Sequence, residues 1–212
     1  MIIIMEKNAI SKAALGRLPG YLQYLKGLPS EAQYVSATAI ARALHLGEVQ
    51  VRKDLSAVSG AGKPKVGYII ADLILQLEDT LGCHCLTPTV LVGAGKLGRA
   101  LLDYNGFEEY GVTILAAFDR DERLLRAGEG NVKTILPVEE LGAFCRSHGV
   151  QIGIITVGRE SAQSVCDRML ESGITAIWNF APCRLQVPEG VLVKQETLAL
   201  SLAHLNNQRG TR

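Results

Sequence analysis

Residues 89–101 read Thr-Val-Leu-Val-Gly93-Ala94-Gly95-Lys96-Leu97-Gly98-Arg-Ala-Leu. A short apolar run of strand character passes into G-x-G-x-x-G and then into a helix-forming stretch, and this context gives the three glycines their meaning. Gly93 permits a tight turn, Gly95 lets the backbone approach a pyrophosphate, and Gly98 lets the helix lie close to the strand; Ala94, Lys96 and Leu97 complete the loop. The start of the helix offers free N–H groups to an anion. The next apolar run ends at Asp119, 21 residues beyond Gly98, where a carboxylate accepts hydrogen bonds from an adenosine ribose. Its charge disfavours the ribose phosphate of NADP, with Arg120 and Arg123 nearby as a countervailing influence, so NAD(H) is the expected cofactor. The plainer alternative is a set of glycines that only turn the chain and a solvated Asp119.

Downstream, short Val/Ile/Leu runs at about 89–93, 112–118, 131–135, 151–157, 174–180 and 191–194 alternate with helical segments, as in a parallel sheet with crossover helices. Ligands of such sheets collect at the strand ends. That singles out Thr156-Val157-Gly158 and Asn179-Phe180-Ala181-Pro182, with Phe180 either flanking a nicotinamide ring or packed in the core. A last helix is expected from Glu196 to about Asn207. Its stripe of Leu198, Leu202 and Leu205 needs a partner surface.

Upstream, Leu15, Leu18, Leu22 and Leu25 recur at helical spacing, with Pro19 in a first turn and an end near Leu28. Ser36 reads as the N-cap of a second helix that contains Thr38 and runs to Leu44, before a turn at Gly47. A third helix spans about Glu48 to Val58. Val51, Leu55 and Val58 share its apolar face, which leaves Val49, Gln50, Lys53, Ser56 and Ala57 opposite and Arg52 on the flank. A Gly/Pro/Lys hairpin follows over residues 59–68, and the whole has the pattern of a winged helix. Gln suits adenine, Arg suits guanine and Val49 suits a thymine methyl, while Lys63 and Lys65 on the wing suit phosphates. Ser36, Thr38 and Tyr68 join the candidate DNA-facing set. A further helix, with Ile70, Leu73, Ile74, Leu77 and Leu81 as its apolar positions, stops at Gly82. The expected organisation is residues 1–82 as a winged-helix domain, 83–195 as a Rossmann domain, and 196–212 as a C-terminal helix and tail.

Residues 1–70 carry 9 Lys/Arg against 4 Asp/Glu, whereas residues 71–212 carry 13 against 17. A basic front on a nearly neutral chain suits a polyanion. The five cysteines, at 83, 85, 145, 166 and 183, are odd in number and irregularly spaced, so reduced thiols are expected. Cys83-His84-Cys85 has no second ligand pair, and no metal is expected. The Met1–Met5 stretch is too short to span a membrane and has no signal-peptide cleavage pattern, which points to the cytoplasm.

Arg17-Leu-Pro-x-Tyr21, Val51-Arg-Lys-Asp-Leu-Ser56, Gly62-Lys63, Val66-Gly-Tyr68, the 93–101 loop, Tyr104, Ala117-Phe-Asp119 and Asn179-Phe-Ala-Pro182 together resemble the redox-sensing transcriptional repressors called Rex. The resemblance covers nearly the whole chain. It implies a homodimer with exchanged C-terminal helices that binds operator DNA, an inverted repeat, when NADH is low and leaves it when NADH rises. It also implies a switch set, at which this chain departs from the family. Tyr104 is kept, but Gln23 stands where an Arg is usual and Thr197 where an Asp is usual, with Glu196 alongside as a stand-in. The wing departs as well, losing its aromatic residues.

An NAD-dependent dehydrogenase is the competing class. No Tyr-x-x-x-Lys pair is present, His45, His84, His148 and His204 occupy no recognisable catalytic setting, and no substrate domain fits after the last strand. A third reading is a constitutive DNA-binding protein with a structural NAD site.

Overall fold

The computed structural model describes residues 10–64, 66–128 and 132–209. The chain forms two compact units, Met1–Cys85 and Leu86–Arg212.

The first unit holds α1 (Lys12–Leu15), α2 (Leu18–Lys26), β1 (Tyr34–Val35), α3 (Ala37–Ala43), α4 (Glu48–Ser59), β2 (Tyr68–Ile69) and α5 (Ile70–Leu81). Pro19 sits in the first turn of α2 as expected, but Leu15, grouped with that helix by the leucine spacing, belongs to the separate α1 across a break at Gly16–Arg17 and is exposed. Proline explains the break: in a continuous helix the Pro19 ring would collide with the carbonyl four residues earlier, that of Leu15. Leu18, Tyr21, Leu22 and Leu25 of α2 are then buried, as are Ile40, Val51, Leu55, Leu73 and Leu77 of α3, α4 and α5. The Ser36 hydroxyl caps α3 by accepting from the Ala39 N–H at 3.0 Å. β1 and β2 pair antiparallel, Val35 opposite Tyr68, and close the base of a wing in which the Lys63 N–H donates to the Gly67 carbonyl at 2.8 Å. Gly67 has φ +90°, and a Cβ there would lie 2.3 Å from the Val35 carbonyl, so the wing base requires glycine. Lys65 of the wing lies outside the described residues. α5 ends as expected at Gly82, in the left-handed conformation.

The second unit carries β3 (Thr87–Val92), α6 (Lys96–Leu102), β4 (Val112–Asp119), β5 (Thr134–Pro137), α7 (Leu141–His148), β6 (Ile152–Ile155), α8 (Arg159–Glu171), β7 (Ala176–Asn179), β8 (Leu192–Gln195) and α9 (Leu198–Arg209). The strands form one parallel sheet in the order β5-β4-β3-β6-β7-β8, and the chain reverses its winding between β3 and β6. That crevice is where open α/β sheets bind ligands. Six strands lie near their expected positions, but the third begins at Thr134 rather than at 131. β7 is followed by an irregular crossover rather than a helix, anchored through Ala181, Cys183, Leu185 and Val187 against the core. Leu198, Leu200, Leu202 and Leu205 of α9 are 62–68% exposed, so the apolar stripe expected there is uncovered in one chain.

Candidate cofactor cavity and nucleic-acid interface

β3 ends because Gly93 takes φ +107°, a turn that L side chains resist. A Cβ on Gly98 would lie 1.8 Å from the Gly93 carbonyl, so helix and turn are in van der Waals contact there. Gly95 differs: a Cβ at this position meets nothing within 4 Å, and its backbone has ordinary angles. The space above Gly95 belongs to a cavity of about 570 Å³, a size that suits a bound cofactor. Its wall includes Gly93, Gly95, Asp119, Arg120, Thr156, Val157 and Gly158, which the fold gathers from three strand ends. The Thr156 hydroxyl donates to the Gly93 carbonyl at 2.7 Å and ties the glycine turn to β6. Asp119 accepts from the Ala94 N–H at 2.6 Å and the Asp121 N–H at 3.0 Å, so its carboxylate is fixed before any ribose arrives. Sequence reading missed Asp121, Leu124, Val138, Glu139 and Arg168, which line the same wall together with Val92, Ser161, Ser164 and Val165. Ala94 is buried, while Lys96 and Leu97 are exposed on α6. The residues fit NAD(H): an open glycine for the pyrophosphate, helix N–H groups and an oriented carboxylate.

The loop after β7 corrects one expectation. The Asn179 amide is fully buried; its Oδ1 accepts from the Ala181 N–H at 2.9 Å, and its Nδ2 donates to the Cys183 carbonyl and to Gln195 Oε1 at 3.0 and 2.8 Å. Asn179 therefore shapes the loop rather than offering its amide to a ligand, and Ala181 is equally buried. Pro182 is exposed, and Phe180 packs on Trp178 with ring centroids 4.5 Å apart. Trp178 in turn meets Phe107, and Phe107 meets Tyr104. Glu196, the acid offered as a stand-in for the usual Asp, accepts from Trp178 Nε1 at 3.1 Å through Oε1. Gln23 is exposed, as is Tyr104, and Thr197 is half-buried.

In the first unit, the exposed face of α4 presents Val49, 81% exposed, together with Gln50, Lys53 and Ser56. A groove between α3, α4 and the wing brings together Ser36, Thr38, Arg52, Ser56 and Lys63. Arg52 pairs with Glu48 one turn earlier. Such exposed pairs contribute little, so a phosphate or base can take the guanidinium at small cost. Tyr68 lines the same groove with little of its surface. It is 8% exposed, and its ring fills the space beside Gly62, where a Cβ would be 3.0 Å away; it props the wing from inside.

The residue that sequence reading missed here is Asp54, 2% exposed. It falls at i+3 from Val51 and beside Leu55, on the buried face, and helical period alone flags a charge there that needs partners. Arg17 supplies a two-pronged ion pair at 2.7 and 3.0 Å, Tyr21 a hydroxyl at 2.7 Å and Gln50 an amide N–H at 2.8 Å. Burial alone would raise the Asp54 carboxyl, but the bonds from Arg17, Tyr21 and Gln50 outweigh it and lower it below the usual range. Burial and Asp54 push the Tyr21 phenol up to about 12. With its carboxyl depressed, Asp54 stabilises the folded state fully above the ordinary aspartate range, and that contribution is lost as the pH falls through the lowered value. Tyr21→Phe removes a hydrogen bond to this carboxylate and is expected to cost about 2 kcal/mol in denaturant unfolding at neutral pH. The difference should narrow in acid. A variant as stable as the parent at pH 7 would show that the hydroxyl bond is not formed in solution.

Among the described residues no group of three or more His, Cys, Asp or Glu is arranged to hold a metal, and no helix is long and apolar enough to cross a membrane.

Residues 85–183 match the family described as CoA binding domain, and residues 9–56 match the putative DNA-binding protein N-terminus family. The redox-sensing transcriptional repressor Rex of Treponema denticola is 37% identical over 98% of this chain and 100% of its own length. The Rex protein of Porphyromonas gingivalis is 38% identical over 94% of this chain and 91% of its own. Among solved structures, the crystal structure of RSP with β-NAD+ and operator DNA superposes with a TM-score of 0.86 at 30% identity, covering 95% of this chain and 93% of RSP. RSP in complex with β-NADH gives 0.84, also at 30% identity, over 96% and 95%.

Proposed function

We propose, for a chain that belongs to the Rex family of redox-sensing transcriptional repressors, a homodimer that binds an inverted-repeat operator and releases it when NADH occupies the cavity above Gly95. The protein is a regulator and not an enzyme. The carrying observation is the presence, in one chain, of a groove lined by Arg52 and Lys63 beside an exposed α4 face and of a glycine-turn cavity with an oriented Asp119. NAD(H) is held by the 93–98 loop, Asp119, Arg120 and the Thr156–Gly158 turn, with Phe180 and Pro182 beyond. DNA is met by Ser36, Thr38, Val49, Gln50, Arg52, Lys53, Ser56 and the wing lysines. Each α4 lies in a major groove, the two related by the twofold axis of the dimer. Its work on DNA places it in the cytoplasm. The exposed leucines of α9 form the surface on which two copies exchange helices.

A second reading, constitutive DNA binding with a structural NAD site, is favoured by one observation: Glu196 is engaged by Trp178, and Gln23 and Thr197 carry no charge. Operator affinity titrated against the NADH/NAD+ ratio separates the two. The first reading expects affinity to fall as NADH replaces NAD+; the second expects no change. In the same assay Lys53→Ala and Lys63→Ala should each lower the salt slope of DNA binding by about one if each neutralises a phosphate. Parental slopes in both variants would remove this face from the DNA interface.

A further inference from the structure

The ribose edge of the cavity carries a second acid that the dinucleotide motif does not require. Asp121 lines the cavity beside Asp119 and Arg120, and its N–H holds Asp119 Oδ1 at 3.0 Å. Both oxygens of its own carboxylate accept from Arg123. Oδ1 accepts from the Arg123 N–H at 3.1 Å and from Nε at 2.9 Å, and Oδ2 accepts from Nη2 at 2.7 Å. The Arg123 side chain is 88% exposed, stands outside the cavity wall and is turned onto Asp121. We propose that Asp121 is a specificity-determining residue, which excludes a 2′-phosphorylated dinucleotide both by its own charge and by holding Arg123 away from the ribose edge. This rests on the reading of the cavity as the NAD(H) site.

The chemistry differs sharply between the two ligands. A ribose 2′-hydroxyl donates one hydrogen bond and is content beside carboxylates. A 2′-phosphate brings more than one negative charge and needs cations in fork geometry, for which arginine is the best suited side chain. Two arginines flank this edge in sequence, Arg120 and Arg123, and on composition alone they favour the phosphate. The geometry takes Arg123 out of that set, because it spends the Nε–Nη2 edge of its guanidinium on Asp121, and leaves Arg120 in the cavity wall beside two carboxylates, those of Asp119 and Asp121. Arg123 in turn keeps Asp121 ionised, holding its carboxyl down to about 2, so the second negative charge persists across the whole neutral and mildly acidic range.

Asp121→Asn tests this without dismantling the loop, since Asp121 caps the 3-10 turn Glu122–Leu124 and Asn caps equally well. Asp121→Ser is a second uncharged cap in case the first variant folds poorly. Calorimetry on the full chain would compare NADPH with NADH, and adenosine 2′,5′-bisphosphate with AMP. In Asp121→Asn the NADPH:NADH affinity ratio is expected to rise about tenfold, as removal of a facing like charge should give, and the fragment ratio with it. Adding Arg123→Ala should remove the part of that gain that comes from the freed guanidinium. Unchanged ratios in both Asp121 variants overturn the proposal, and a gain that survives in full without Arg123 overturns the part assigned to the arginine. The site reading fails on a separate result, retention of NADH affinity in Gly95→Val, whatever the Asp121 ratios are.

Discussion

Gly95→Val is expected to lower NADH affinity by at least about a hundredfold, equivalent to roughly 2.7 kcal/mol, while leaving the stability of the chain close to that of the parent. The two halves of this expectation come from one observation. A Cβ at Gly95 meets nothing of the protein within 4 Å, and the backbone there has angles any residue adopts, so valine is accommodated in the free protein. The space it enters is the cavity itself, where a pyrophosphate has to approach the loop. The neighbouring glycines do not offer as clean a test. At Gly98 a Cβ collides with the Gly93 carbonyl, and at Gly93 it meets Thr156 and Val157, so loss of binding in those variants would report damage to the loop. Calorimetry with NADH and a thermal melt of the same preparation measure both halves. Parental binding in a folded Gly95→Val protein would mean that the cavity is not the cofactor site.

The C-terminal helix should produce the second large effect. Replacing Leu202 and Leu205 with glutamate removes apolar surface that one chain leaves uncovered, so the folded monomer loses little. A dimer that depends on this surface loses its interface. The chain is then expected to sediment as a monomer, and its affinity for an inverted repeat should fall by about 10²–10⁴, because the two half-site contacts are no longer linked. Affinity for an isolated half-site should change far less. A variant that remains a dimer, with parental operator affinity, would assign the twofold contact to another surface.

The sequence by itself determined the two-part organisation, the glycine turn with Asp119 beyond it, and the recognition-helix and wing pattern. These features are local: a glycine turn, a capping serine and an apolar period are each written within one or two dozen residues and report constraints on the backbone itself. Proline at position 19 marks the first turn of α2, as expected, whereas the leucine period carries Leu15 into the same helix and the structure places it in α1. Only the tertiary structure decided what the polar groups do. Asp54 meets Arg17 from 37 residues away, Thr156 meets Gly93 from 63, and Trp178 meets Glu196 from the far side of an irregular crossover. Tyr68 and Asn179, read as contacts for DNA and cofactor, are both buried and support the loops beside those sites. The physical reason is the same in each case. Whether a polar side chain faces a ligand or satisfies a neighbour depends on which groups the sheet order and helix packing bring within about 3 Å, and no spacing in the chain encodes that distance directly.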